Sequence, residues 1–321
     1  KWSAANSRWQ PADIEEEESS GTQKALFGFG STSSGNTNIT NLVSSSGVVS
    51  SDTTGVGTAR QKLAATGYGG DKAIFGFGDS GYSTYRTNLS NLVSNTGVVA
   101  TDTTGVGTAK RELAAACYGE DKGIFAYGST HNSSSQNFSH SNLVSNTGVV
   151  ASDSSASGTA RRSLAAASYG EDKAIFGFGD AGSTTNVTNL VSNTGVISSD
   201  VTGVGQIRGR LAACGYGGDK AIFGGIDGNR HKTNLVSNTG VVASDVNGVG
   251  TGRKGYAGAV YGGDKGIFGF GVYTLGAADY YSEVDANFVR LISNTGIVAS
   301  DSTGVGTARD NLAAAGYSST A

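Results

Sequence analysis

One sequence unit, repeated with edits from one end of the chain to the other, restricts the folds open to it. Residues 164–205, LAAASYGEDKAIFGFGDAGSTTNVTNLVSNTGVISSDVTGVG, are a representative copy. The apolar-aromatic heart of the unit stands at 24–30, 72–78, 122–128, 173–179, 220–226 and 265–271, as KALFGFG, KAIFGFG, KGIFAYG, KAIFGFG, KAIFGGI and KGIFGFG. The spacings are 48, 50, 51, 47 and 45 residues, six units of the length that a module of four short strands takes.

Each unit reads as strands. LAAASYG is short and followed by turn residues. KAIFGFG is a run of β-branched and aromatic residues, apolar on both faces, as in a strand covered on both sides. NLV and VIS flank Ser-Asn-Thr-Gly, which suits a three-residue hairpin with Gly195 at positive φ. No unit holds an amphipathic stretch of helical length, so a helical solenoid is the weaker reading.

The first unit lacks a preceding LAAAGYG, and ARDNLAAAGYSS at 308–319 has no KAIFG after it. The last strand can therefore complete the first unit. The expected fold is all-β: a six-bladed β-propeller of four-stranded blades over 22–321, closed by the C-terminal strand, with 1–21 as an arm or linker.

The formal net charge of −3 offers no basic footprint for nucleic acid, and no apolar run is long enough to span a membrane. The absence of Met implies a processed product or a piece of a longer one. Cys117 and Cys214 fall two units apart, beyond disulfide reach, and read as small apolar packers.

In the arm, Trp2 and Trp9 precede an acidic run, Glu15 to Glu18. They read as linker residues or as interface anchors of a docking arm. Loops vary most at 31–40, 79–90, 129–141, 180–188, 225–233 and 272–290. They carry Tyr82, Tyr85, Arg86, His131, His140, His231, Tyr273, Tyr280 and Tyr281. Tyr faces suit sugars, so Tyr82, Tyr85, Arg86, His131, His231, Tyr273, Tyr280 and Tyr281 are the candidate ligand-binding residues. The three His residues lack metal-ligand spacing.

Each unit also repeats an Asp followed eight residues later by a base: Asp52/Arg60, Asp102/Lys110, Asp153/Arg161, Asp200/Arg208, Asp245/Arg253 and Asp301/Arg309. These read as scaffold. The carboxylate would accept backbone N–H groups at its own bend, and the base would pair with it or with a neighbouring unit. One carboxylate per unit is too few for calcium. No cofactor, metal or catalytic constellation is nominated. Sequons stand at Asn38, Asn88, Asn132, Asn137 and Asn186.

In ARRSLAAASYGEDKAIFGFG, Arg161, Tyr169 and Gly179 resemble the opening of a kelch repeat. The wording DKAIFGFG, TNLVSNTGVVASDTTGVGTA and LAAAGYG also resembles tandem-repeat virion or tail-fibre-like proteins of environmental tailed phages. The resemblance implies an extracellular or virion-surface protein that is not an enzyme. The expected role is binding a cell-surface receptor or glycan through the variable loops. The alternative is a structural subunit of a fibre or appendage, joined through the arm to other virion or fibre subunits or to copies of itself.

Overall fold

The computed structural model describes residues 22–81, 85–131, 134–227, 230–275 and 282–318, with the backbone alone for Asp227, Arg230, Trp2–Ser3 and Arg8–Trp9. The protein is all-β, built of small antiparallel sheets. Six of these follow the repeat. In unit 2, Ala64–Tyr68 pairs with Lys72–Gly76, which pairs with Ser90–Val93. Units 3, 4, 5 and 6 place Ala114–Tyr118, Ala165–Tyr169, Ala212–Tyr216 and Ala257–Tyr261 in the first position. In unit 1 the first position belongs to the last strand: Ala313–Tyr317 pairs with Lys24–Gly28, with Ala315 opposite Leu26.

The second strands are buried on both faces, since Ala25, Leu26 and Phe27 are each fully covered. Their cover is the neighbouring unit. Six apolar clusters form, each shared by two consecutive units, and one joins unit 6 to unit 1 through Phe27, Ile267 and Phe270. Close approach fixes the small residues: a Cβ on Gly28 would stand 2.7 Å from the Phe75 ring of the next unit.

Two cycles of backbone hydrogen bonds run through all six units. In one, Lys62 donates to Asn311, Glu112 to Lys62, Ser163 to Glu112, Arg210 to Ser163, Gly255 to Arg210 and Asn311 to Gly255, at 2.7–3.0 Å. In the other, Gly69, Gly119, Gly170, Gly217, Gly262 and Ser318 donate to Asp121, Asp172, Asp219, Asp264, Gln23 and Asp71. Both cycles of hydrogen bonds return to the unit in which they begin.

The expectation of four strands per unit needs correction. Sheets 1, 2, 4 and 6 have three strands, and sheets 3 and 5 have four. Elsewhere the fourth segment pairs only at isolated points, such as Val43 with Val49 and Thr40 with Thr53. Between those points the Asn41 side chain donates from Nδ2 to the Ser50 carbonyl and to the Asp52 carboxylate. The hairpin between these segments has the expected three-residue loop. Ser192 N–H donates to Val196, and Gly195 has φ 82°.

The second aromatic of FGFG ends the second strand. Phe29, Phe77, Tyr127, Phe178 and Phe270 all have φ near +60°, an uncommon conformation for a bulky residue. Unit 5 has Gly225 at this place, and its strand runs on as Lys220–Asp227, paired with Arg230–Val236. The stretch 225–233 is therefore largely a hairpin, not the loop expected.

No helix among the described residues is long and apolar enough to cross a membrane. Cys117 and Cys214 are free thiols, and burial raises the pKa of both.

Candidate functional site

The seams between units show what the repeated charges do. Each Asp takes its backbone N–H not from its own bend but from the linker of the preceding unit. Thr58, Thr108 and Thr159 donate to Asp102, Asp153 and Asp200, and Thr307 of the last linker donates to Asp52 of unit 1. The bases follow the same rule. Arg60 reaches Asp102 at 3.2 Å and Arg208 reaches Asp245 at 2.9 Å. Arg161 lies 3.9 Å from Asp200, and Arg253 lies 3.6 Å from Asp301. Arg309 and Lys110 bond Asn41 and Asn142 beside Asp52 and Asp153. The left-handed aromatic lies beneath: Arg161 and Arg309 stand 4.3 and 4.2 Å above the Tyr127 and Phe270 rings. The six aspartates are held below the ordinary carboxylate range. Burial opposes their charge, but hydrogen bonds and the paired bases outweigh it.

Each linker runs base, two further residues, then an apolar residue that is Leu in all but unit 6. The two intervening residues are Gln61-Lys62, Arg111-Glu112, Arg162-Ser163, Gly209-Arg210, Lys254-Gly255 and Asp310-Asn311. The second of each pair lies on the first hydrogen-bond cycle at positive φ. Leu63, Leu113, Leu164, Leu211, Tyr256 and Leu312, together with the second residue of each pair, line a small cavity of about 90 Å³. Above them opens a basin of about 570 Å³. Residues from three variable loops complete its wall: Ser31, Asp180 with Thr184, and Glu283.

The basin is lined with paired charges. Lys62 lies 2.8 Å from Glu112, whose other oxygen accepts from Ser163 Oγ at 2.9 Å. Arg162 reaches Asp180 at 3.1 Å and Glu112 at 3.5 Å, and Arg210 reaches Asp310 at 3.4 Å. Burial works against the Glu112 charge, but Lys62, Ser163 and Arg111 outweigh it and hold the carboxyl below its ordinary range. Burial pushes Asp310 the other way, up to about 6, with Arg210 opposing and Asp285 assisting. Two carboxyl groups of one basin thus titrate in different ranges, Glu112 below the ordinary carboxylate value and Asp310 at about 6.

The candidate ligand residues scatter. Tyr85 is exposed, and Tyr273 packs its ring on Phe288 at 5.8 Å. Arg86 lies within electrostatic reach of Asp79, Arg111 and Glu112. His131 is exposed, and its carbonyl accepts from Arg162 Nη1 at 3.0 Å, which joins that loop to the basin wall. His140 and His231 stand in strands, and His231 is a correction: it is 2% exposed, buried where the unit 5 hairpin extends. Tyr82, Tyr280 and Tyr281 fall outside the described residues. Trp2 and Trp9 face each other in a short antiparallel pair, and their side chains lie outside the described set. Among the described residues no cluster of His, Cys, Asp and Glu suits a metal ion. Four sequon amides serve the fold: Asn38, Asn88 and Asn186 donate to Gly57, Gly107 and Gly205, and Asn137 donates to Asp180. Asn132 is outside the described residues.

The linker pairs that build the basin escaped sequence reading, although a signal was present. Two positions that change chemistry in every unit sit between a conserved-type base and an apolar residue. Scaffold needs would have kept them alike.

Neither the family models nor the curated proteins compared with this chain match it.

Proposed function

We propose that the chain is a six-bladed β-propeller that binds a neutral or zwitterionic polar ligand, a glycan, in the basin on its variable-loop face, without catalysing a reaction on it. The propeller reading rests on the two closed hydrogen-bond cycles and on the last strand pairing with the first unit. The binding reading rests on one observation. Lys62, Glu112, Arg162, Asp180, Arg210, Glu283 and Asp310 set donors and acceptors side by side around a basin that three variable loops enclose. A sugar hydroxyl both donates and accepts, so it pairs with such alternating groups, whereas a polyanion meets the carboxylates. Display outside the cell or on a virion is part of the reading.

The test is a glycan array followed by calorimetry on any hit. The double variant Lys62→Ala/Glu112→Ala removes both members of one ion pair and leaves neither charge alone. Binding should weaken at least about tenfold, roughly 1.4 kcal/mol. An array without hits, or a double variant that binds like the parent chain, refutes the reading.

A further inference from the structure

Four departures from the repeat meet at one seam, between units 5 and 6. Gly225 stands where other units have an aromatic. Tyr256 replaces Leu. Arg290 replaces the Asn of NLV. His231 replaces the Asn found at 38, 88, 186 and 287.

The first two compensate each other. Elsewhere an aromatic of one unit meets a Phe of the next edge-on and lies under a base, as Phe178 does with Phe223 and Arg208. Here Tyr256 takes both contacts, edge-on to Phe268 at 5.5 Å and 5.7 Å beneath Arg253.

The other two leave a deficit. At ordinary seams the Asn carbonyl oxygen accepts from the buried guanidinium, as Asn189 does from Arg161 at 2.6 Å. Arg290 substitutes a second donor for that acceptor. It bonds Asp301 at 2.6 Å, while Arg253 is left 3.6 Å from the same oxygen. Arg253 Nε and Nη2, Arg290 Nη1, the Tyr256 hydroxyl and both His231 ring nitrogens are buried without a hydrogen-bond partner. Arg253 and Arg290 are fully buried, and His231 and Tyr256 are 2% and 4% exposed. The local ion pairs set Arg208, Arg253 and Arg290 against Asp245 and Asp301 alone. One positive charge is uncompensated, in a place where leaving a charge unpaired is strongly unfavourable. Burial and the nearby Arg290 and Arg253 charges hold the His231 pKa down to about 3, so its imidazole adds no charge at neutral pH.

We propose that this seam holds a small monovalent anion, a halide, bound between the Arg253 and Arg290 guanidiniums with the Tyr256 hydroxyl and the His231 ring N–H as further donors. A single charge balances the surplus. A monatomic ion accepts from several directions and brings no acceptor-poor face into an enclosed site. The site is separate from the basin and does not depend on the ligand proposed there.

The experiment is thermal unfolding of the full chain in sodium chloride and in sodium gluconate at equal ionic strength. Raising free chloride to 100 times its dissociation constant should raise Tm by about 4 °C for a chain of this length, and gluconate should not. Arg290→Asn restores the pairing of the other seams and removes the surplus charge, so its Tm should be the same in both salts. Crystals grown in bromide give a readout that does not rely on the variant folding: an anomalous peak beside Arg253 and Arg290 is expected. Equal Tm values for the parent chain in the two salts, a chloride effect that persists in Arg290→Asn, or an ordered water without anomalous signal at the seam would each overturn the proposal.

Discussion

Arg309 donates from Nη2 to Asn41 Oδ1 at 2.7 Å across 268 positions of sequence, joining the last linker to the first unit. The same guanidinium caps the Phe29 carbonyl at 2.8 Å and lies over the Phe270 ring. Arg309→Ala should lower the unfolding free energy by about 3–5 kcal/mol, because it strands buried acceptors beside an aspartate that has lost its base. Arg253→Ala should cost less, since Asp301 keeps Arg290. Urea denaturation of the two variants checks the order.

Lys110 occupies a place where the other seams have Arg. It is fully buried and reaches only Asn142, at 2.8 Å, and burial lowers its pKa to about 8. An unfolded lysine holds its proton up to about 10.4, so between these values the unfolded chain binds more protons and stability rises with pH. Lys110→Arg should flatten that rise and add about 1 kcal/mol at pH 7 through bonds to both Asn142 and Asp153. The measurement is denaturant midpoint against pH from 7 to 11.

Asp310 moves stability the other way. Its folded pKa of about 6 lies above the ordinary 3.8, so the folded chain binds the extra proton and stability falls as pH rises between them. Asp310→Asn should leave stability unchanged below about pH 4 and raise it above pH 6 by up to about 3 kcal/mol. The six seam aspartates act oppositely: their stabilisation is present above 3.8 and is lost as pH falls through their lowered values. A pH series comparing the parent chain with Asp310→Asn tests the sign.

Gly225 and Tyr256 should be coupled. Gly225→Phe alone puts a Cβ 2.9 Å from the Arg208 side chain, while the contacts that the other units' aromatic makes are already taken by Tyr256, and it should cost about 1–3 kcal/mol. Tyr256→Leu alone leaves part of that volume empty and should also destabilise. Together they restore the arrangement of the other seams, and a double-mutant cycle should return a favourable coupling of at least about 1 kcal/mol. Additive losses would show that the two sites are independent.

Much of the architecture was legible in the chain because it depends on local chemistry repeated six times. Strand positions follow from apolar runs, the hairpin from Ser-Asn-Thr-Gly, and the completing strand from the unmatched LAAAGY at the end. The fourth strand was overread: the run after the hairpin, VIS in unit 4, meets the third strand at one bridge, Val191 with Ile197. The 225–233 segment was misread as a loop because the strand-ending role of the second aromatic shows only in its backbone angle.

The candidate sites divide similarly. Loops rich in Tyr attracted attention, while the basin is walled mainly by linker residues that lie far apart in sequence and have unremarkable composition. The sequence by itself determined six units, their strands and the six repeated charge pairs, since short-range patterning and turn geometry suffice for these. Only the tertiary structure decided that each base serves the next unit's aspartate, that Lys62, Glu112, Ser163, Arg210, Gly255 and Asn311 form one cycle, and that His231, Arg253, Tyr256 and Arg290 share one seam. Those relations arise when units pack face to face, and they depend on which surfaces meet across tens to hundreds of residues rather than on any local pattern.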